Sequence, residues 1–271
     1  FKNNTFSQKS VQGINWMKDG QYYSSLVRTP SGSKVVKINV ETGEEAGILI
    51  NGEALGVNFS SYAFNADESK ALIASEVERI YRRSSKAVYH VVDLAAGKAQ
   101  KLLDGEKIMY ATLSPGNDKV AFVKENNLFI IELNTEKVIQ ITTDGKVNHV
   151  LNGAADWVYE EEFSMAKAFD WSPDGQKIAF IRFDESEVPE FNMQLWGKLY
   201  PQDYRFNYPK AGEANAKTSI HIYDLESKKT VKADAGTDTD IYLPRIYWTG
   251  ESNTLAFLRV NRLQNQIDLL Y

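Results

Sequence analysis

The sequence predicts an all-β fold, a β-propeller of four-stranded antiparallel blades, on three observations. A polar turn framed by a bulky residue and an apolar strand recurs five times in 271 residues. A second hairpin signature follows four of the five. The first recurrences are spaced by about 48 and 49 residues, the length of a blade repeat.

The five turn anchors are Trp16, Phe64, Leu113, Trp171 and Trp248. After each comes a polar turn, such as Ser172-Pro173-Asp174-Gly175, rich in residues that supply turn dihedrals. An apolar run such as Lys177-Ile178-Ala179-Phe180-Ile181 then has the length and bulk of a buried strand. The second hairpins begin at Lys34, Val88, Leu128 and Ser219. Each is an apolar strand, a tight polar turn and a strand opening near a lysine, and Ile139-Gln140-Ile141 closes one unit as its fourth strand. Two hairpins make a four-stranded sheet that cannot bury both faces alone, so neighbours must stack. An ordinary β-sandwich is the competing reading, and the recurring two-hairpin order argues against it.

The later anchors are about 58 and 77 residues apart, which implies two insertions. Insertions in repeat proteins map to loops, where function concentrates. The first carries Asp156-Trp157-Val158-Tyr159-Glu160-Glu161-Glu162. Crowded carboxylates beside aromatics repel one another, and a cation relieves that repulsion, so an ammonium or a metal would suit them. The plain alternative is a solvated acidic turn. The second insertion, residues 185–218, holds Phe191, Trp196, Tyr200, Tyr204, Phe206 and Tyr208. Such an aromatic arm reads either as a protein interface or as a long hairpin covering its own blade.

Composition excludes much chemistry. The chain is 43% hydrophobic and 25% charged, so it can bury a sizeable core. Its 31 basic and 36 acidic residues give −5, which argues against nucleic acid as the main partner. No cysteine is present, which removes disulfides, thiolate metal sites and a cysteine nucleophile. His90, His149 and His221 are too scattered for a metal cluster. No apolar run approaches the roughly 20 residues that span a bilayer.

The ordered motifs resemble dipeptidyl peptidase IV, in the prolyl oligopeptidase class of serine peptidases. Asp156 to Glu162 is similar to that family's glutamate motif, and Tyr81-Arg82-Arg83-Ser84 to its aromatic-Arg-x-Ser element. Trp171-Ser172-Pro173-Asp174-Gly175, Phe183-Asp184-Glu185-Ser186-Glu187-Val188-Pro189 and Tyr208-Pro209-Lys210-Ala211-Gly212 follow in order, so the likeness covers nearly the whole chain. The resemblance implies an N-terminal propeller, with about five of eight blades in residues 1–271, that caps an α/β-hydrolase domain. It implies that Glu161 and Glu162 bind the free N-terminal ammonium of a peptide and that Arg82 binds a backbone carbonyl. Glu160 and Arg83 are the weaker candidates by register, and which two of the three glutamates face the substrate stays open. The parent would release N-terminal X-Pro or X-Ala dipeptides without a metal or other cofactor. An arm at about 185–212 would serve homodimerisation, and an exported location, periplasmic or at a bacterial cell surface, is implied.

This sequence departs from that pattern in having no Gly-x-Ser-x-Gly elbow and no Ser, Asp, His order. The expectation is therefore an incomplete propeller lacking its hydrolase domain, and no catalytic residue within these 271. Two alternatives stand beside it. One is a stand-alone propeller scaffold for protein or peptide partners. The other is a propeller glycosidase, for which three adjacent glutamates are poor geometry. Asn3-Asn4-Thr5 and Asn58-Phe59-Ser60 are formal glycosylation sequons.

Overall fold

The computed structural model describes residues 13–271; Phe1 and the Asn3 sequon lie outside the described residues. The chain is all-β and its sheets are the expected blades. The first sheet joins β1 (Asn15–Trp16), β2 (Tyr22–Thr29), β3 (Gly32–Asn39) and β4 (Glu45–Asn51) in sequence order. A single turn, α1 (Gly52–Leu55), follows. The second sheet is β5 (Phe59–Phe64), β6 (Lys70–Arg79), β7 (Ser85–Asp93) and β8 (Lys98–Lys101). The third is β9 (Met109–Leu113), β10 (Lys119–Lys124), β11 (Asn127–Glu132) and β12 (Val138–Gln140).

The fourth sheet carries both insertions. Its strands β13 (Val150–Asn152) and β14 (Phe169–Trp171) both pair with β15 (Lys177–Asp184), and the helix α2 (Trp157–Glu162) lies between β13 and β14 in sequence. The arm leaves after β15 as a separate antiparallel pair, β16 (Glu190–Leu195) and β17 (Gln202–Asn207). The chain returns through β18 (Lys217–Asp224) and β19 (Lys229–Lys232). The last sheet has three strands, β20 (Ile241–Trp248), β21 (Leu255–Asn261) and β22 (Ile267–Leu270).

All five anchors end a strand, as expected, and the turns after four of them share a left-handed position. The fourth residue past the anchor is left-handed in four cases: Gly20 (φ 66°), Glu68 (φ 58°), Asn117 (φ 61°) and Gly175 (φ 68°). At Ser172 the reason is visible. Its hydroxyl donates to Asp174 Oδ1 (2.6 Å) and accepts from the Lys177 N–H (2.9 Å), while Asp174 Oδ1 also accepts from the Gln176 N–H (3.0 Å). These side chains satisfy the backbone groups that the turn withdraws from the ladder.

The described residues form two compact units, residues 13–77 with 87–106, and residues 78–86 with 107–271. In the first, Val35, Ile50, Phe59, Ile73 and Val92 pack together, all nearly inaccessible to water. In the second, one cluster gathers Val123, Ile130, Phe169, Ile178 and Phe180, and another gathers Tyr159, Ile181, Phe183, Ile220 and Leu243. The tip of the β6–β7 hairpin, residues 78–86, belongs with the second unit, as does α2.

Candidate substrate-binding site

The glutamate run is a helix rather than the loop that an insertion suggested. Asp156 caps it, accepting the Tyr159 N–H on Oδ1 at 2.9 Å. Tyr159 fixes its underside. That ring lies edge-on to Phe183 at 4.8 Å, and its hydroxyl accepts from the Leu243 N–H (2.8 Å) and donates to Thr218 Oγ1 (3.3 Å). Arg245 ties down the far end by donating to the Phe163 carbonyl (2.8 Å).

Successive helical residues project about 100° apart, so three adjacent glutamates cannot share one direction. Glu160 turns inward and is 1% exposed. Its Oε1 accepts the backbone N–H groups of Arg83 (2.5 Å) and Ser84 (2.8 Å). The Ser84 hydroxyl accepts in turn from the Tyr81 N–H (3.1 Å), and the Ile80 N–H donates to the Ser84 carbonyl (3.0 Å). Glu160 is thus the post on which the 80–84 hairpin is hung. Tyr81 steadies that hairpin from the other side, with its ring 6.4 Å from Tyr204 and 6.0 Å from Phe206.

The consequence is the position of Arg82. Its Nε sits 3.1 Å from Glu161 Oε2. The Arg82 side chain is 71% exposed and that of Glu161 17%. Glu162, the next residue, is exposed. So the structure brings Arg82, Glu161 and Glu162 to one end of α2. Glu160 is occupied by backbone amides, and Arg83 takes part through its main chain while its side chain is exposed.

Two further carboxyl groups lie behind the helix, and the sequence reading did not single them out. Asp156 and Glu185 line a cavity of about 220 Å³ together with Glu160, Tyr81 and Asn207. Burial pushes the Asp156 carboxyl up to about 7, against the opposing pull of the Tyr159 N–H. Glu185 is pushed up to about 8, first by burial and then by the negative charge of Asp156. Burial also raises the phenols of Tyr81 and Tyr159, which keeps both protonated. Glu185 belongs to the Phe183–Pro189 motif already noted. Its distance in sequence from the glutamate run hid its place beside Asp156. Among the described residues no cluster of His, Asp and Glu could hold a metal ion. Nor, among those residues, is any helix long and apolar enough to cross a membrane.

Against known proteins, residues 65–271 match the family described as the dipeptidyl peptidase IV (DPP IV) N-terminal region. The chain belongs to that family. Within it, prolyl endopeptidase FAP of Homo sapiens is 32% identical over 277 residues, covering 97% of this chain and 35% of that protein. A probable dipeptidyl peptidase 4 of Aspergillus flavus is 31% identical over 276 residues, with 97% and 35% covered. The crystal structure of Porphyromonas gingivalis dipeptidyl peptidase 4 superposes with a TM-score of 0.90 at 36% identity, over 99% of this chain and 39% of that one. The chain thus spans about a third of the length of these relatives. A dipeptidyl peptidase IV N-terminal region accounts for the blades.

Proposed function

We propose that this region supplies the substrate-anchoring half of a DPP IV-like serine exopeptidase, in which Glu161 and Glu162 hold the free N-terminal ammonium of a peptide. The observation that carries the reading is the shape of the site: one half-buried and one exposed carboxylate at the same end of a capped helix, beside the Arg82 guanidinium. An α-amino group has a pKa of roughly 7.7–8, and two carboxylates favour its charged form. Charge-assisted contacts of this kind are among the stronger hydrogen bonds. Arg82 Nε lies 3.1 Å from Glu161 Oε2 and the Arg82 side chain is 71% exposed, so solvent and a bound peptide can reach the guanidinium. On this reading the exposed guanidinium donates to a peptide carbonyl.

An amine held at a fixed distance from a nucleophile makes the site a ruler, so cleavage falls a set number of residues from the N-terminus. The nucleophile would come from an α/β-hydrolase domain of the parent protein. On this reading residues 1–271 are part of an N-terminal propeller. Homodimerisation through the arm and an exported location in a bacterium belong to the same proposal.

The test is turnover of an X-Pro chromogenic substrate by the complete protein carrying this region. Glu161→Gln and Glu162→Gln should each lower kcat/KM by at least about 10-fold, equivalent to about 1.4 kcal/mol of transition-state binding. Both variants should keep the wild-type melting temperature. Wild-type kcat/KM in both would overturn the ammonium site.

A further inference from the structure

On the outer side of Tyr81 lies a second concavity that the ammonium site does not use. It is a groove of about 800 Å³ between the 78–86 hairpin tip and the arm. Tyr81, Trp157, Phe191, Tyr204, Phe206 and Tyr208 supply its aromatic walls. They brace one another: Trp157 meets Tyr208 edge-on at 4.5 Å, and Phe191 lies 5.9 Å from Phe206 and 5.5 Å from Tyr208. Met193 (38% exposed) and Leu195 (46%) stand open at the arm end. A concave, mostly apolar space of this volume with a few charged groups at its edge is what small-molecule sites look like.

The charges at the edge choose the ligand. Aromatic walls alone would attract a cation through their ring faces. Here, however, the rim carries Arg79, Lys86 and Lys210 against a single acid, Glu78. Lys86 (2.9 Å) and Lys107 (3.4 Å) both pair with Glu78 and neutralise it. Arg79 forms no ion pair among the described residues, and the Lys210 ammonium rests 5.9 Å from the centre of the Phe191 ring. Two cations are left facing an apolar groove. We propose that this groove binds an apolar organic anion of small-molecule size, such as an aliphatic or aromatic carboxylate, with its tail among the aromatics and its charge between Arg79 and Lys210.

The probe is anilinonaphthalene sulfonate, whose fluorescence rises on entering an apolar site. It is displaced by three eight-carbon chains that differ only in charge: octanoate, octanamide and octyltrimethylammonium. Saturable binding at one site per chain is expected. Octanoate should displace the dye at about ten-fold lower concentration than octanamide, with octyltrimethylammonium weakest, the size of one charge contact. Arg79→Glu should weaken the dye at least about five-fold. Leu195→Asp should do the same, and Leu263→Asp, at an exposed leucine outside the groove (78% exposed), should change nothing. Near-ultraviolet circular dichroism confirms that each variant is folded. Equal displacement by all three chains, or dye binding indifferent to Arg79→Glu and Leu195→Asp, would overturn the proposal. Preference for the ammonium chain would assign the groove to a cation instead. Loss of the site as protein concentration rises would assign it to a second copy, and loss in the complete protein to another part of the same chain; any of these outcomes contradicts the proposal.

Discussion

Glu160 and Glu161 are neighbours with different work, and the difference follows from helical geometry. Glu160 is buried against two backbone N–H groups, so its removal leaves both donors unpaired away from water. Glu160→Ala is expected to cost about 2–3 kcal/mol in urea unfolding, and Glu160→Gln, which keeps a carbonyl acceptor, clearly less. Arg82→Ala, at a side chain 71% exposed, should change stability by less than about 1 kcal/mol while weakening peptide binding. The buried acids make a pH prediction. Asp156 and Glu185 ordinarily titrate at 3.8 and 4.5, but stand at about 7 and about 8 in the fold. Between those limits the folded state holds protons that the unfolded chain has released, so stability falls as pH rises. Their contribution is fully present below about pH 4 and is lost as pH rises through about 7 and about 8, Glu185 titrating later because it feels the negative charge of Asp156. Urea midpoints should therefore drop from pH 5 to pH 8 less steeply in Glu185→Gln than in the wild type. An equal slope in both would refute the assignment. The glutamate run stands out in the sequence as a compact motif, whereas Arg82 is picked out only by the resemblance of Tyr81-Arg82-Arg83-Ser84 to a family element. Which glutamate points inward was not legible, since that depends on the phase of a helix the sequence did not announce.

At the scale of elements, the blade strands were legible because each carries two signals, an apolar run and a turn with fixed chemistry. The helix α2 was not. Six residues containing a valine and two aromatics show no amphipathic period, and what holds them helical is tertiary: the Asp156 cap, the buried Tyr159 and the Arg245 bond to Phe163. The second hairpins share a left-handed residue at one register: Gly43 (φ 71°), Gly97 (φ 60°), Glu136 (φ 57°) and Lys228 (φ 56°). A side chain there is strained, whereas glycine is not. Lys228→Gly should accordingly raise stability by roughly 0.5–1 kcal/mol, and Gly97→Ala should lower it by about 1 kcal/mol. Thermal melts of the two single variants check both signs.

For the molecule as a whole, the sequence reading reached the family and the blade architecture, and the match over residues 65–271 bears that out. The split into two compact units was not foreseen, because it does not follow blade boundaries. The tip of the second blade's hairpin is grouped with the unit that holds α2, and the hydrogen bonds of Glu160 to Arg83 and Ser84 are one physical reason. No periodicity encodes a contact between residues 76 and 77 positions apart in sequence. That contact is what turns two separate motifs into one site. The most direct test of the proposed ammonium site is to compare X-Pro substrates with free and acetylated N-termini on the complete protein carrying this region, at constant pH near 7. Acetylation removes the positive charge and leaves the scissile bond untouched. Dipeptide release from the free-amine substrate alone is the expected result; efficient cleavage of the acetylated one would contradict the assignment of Glu161 and Glu162.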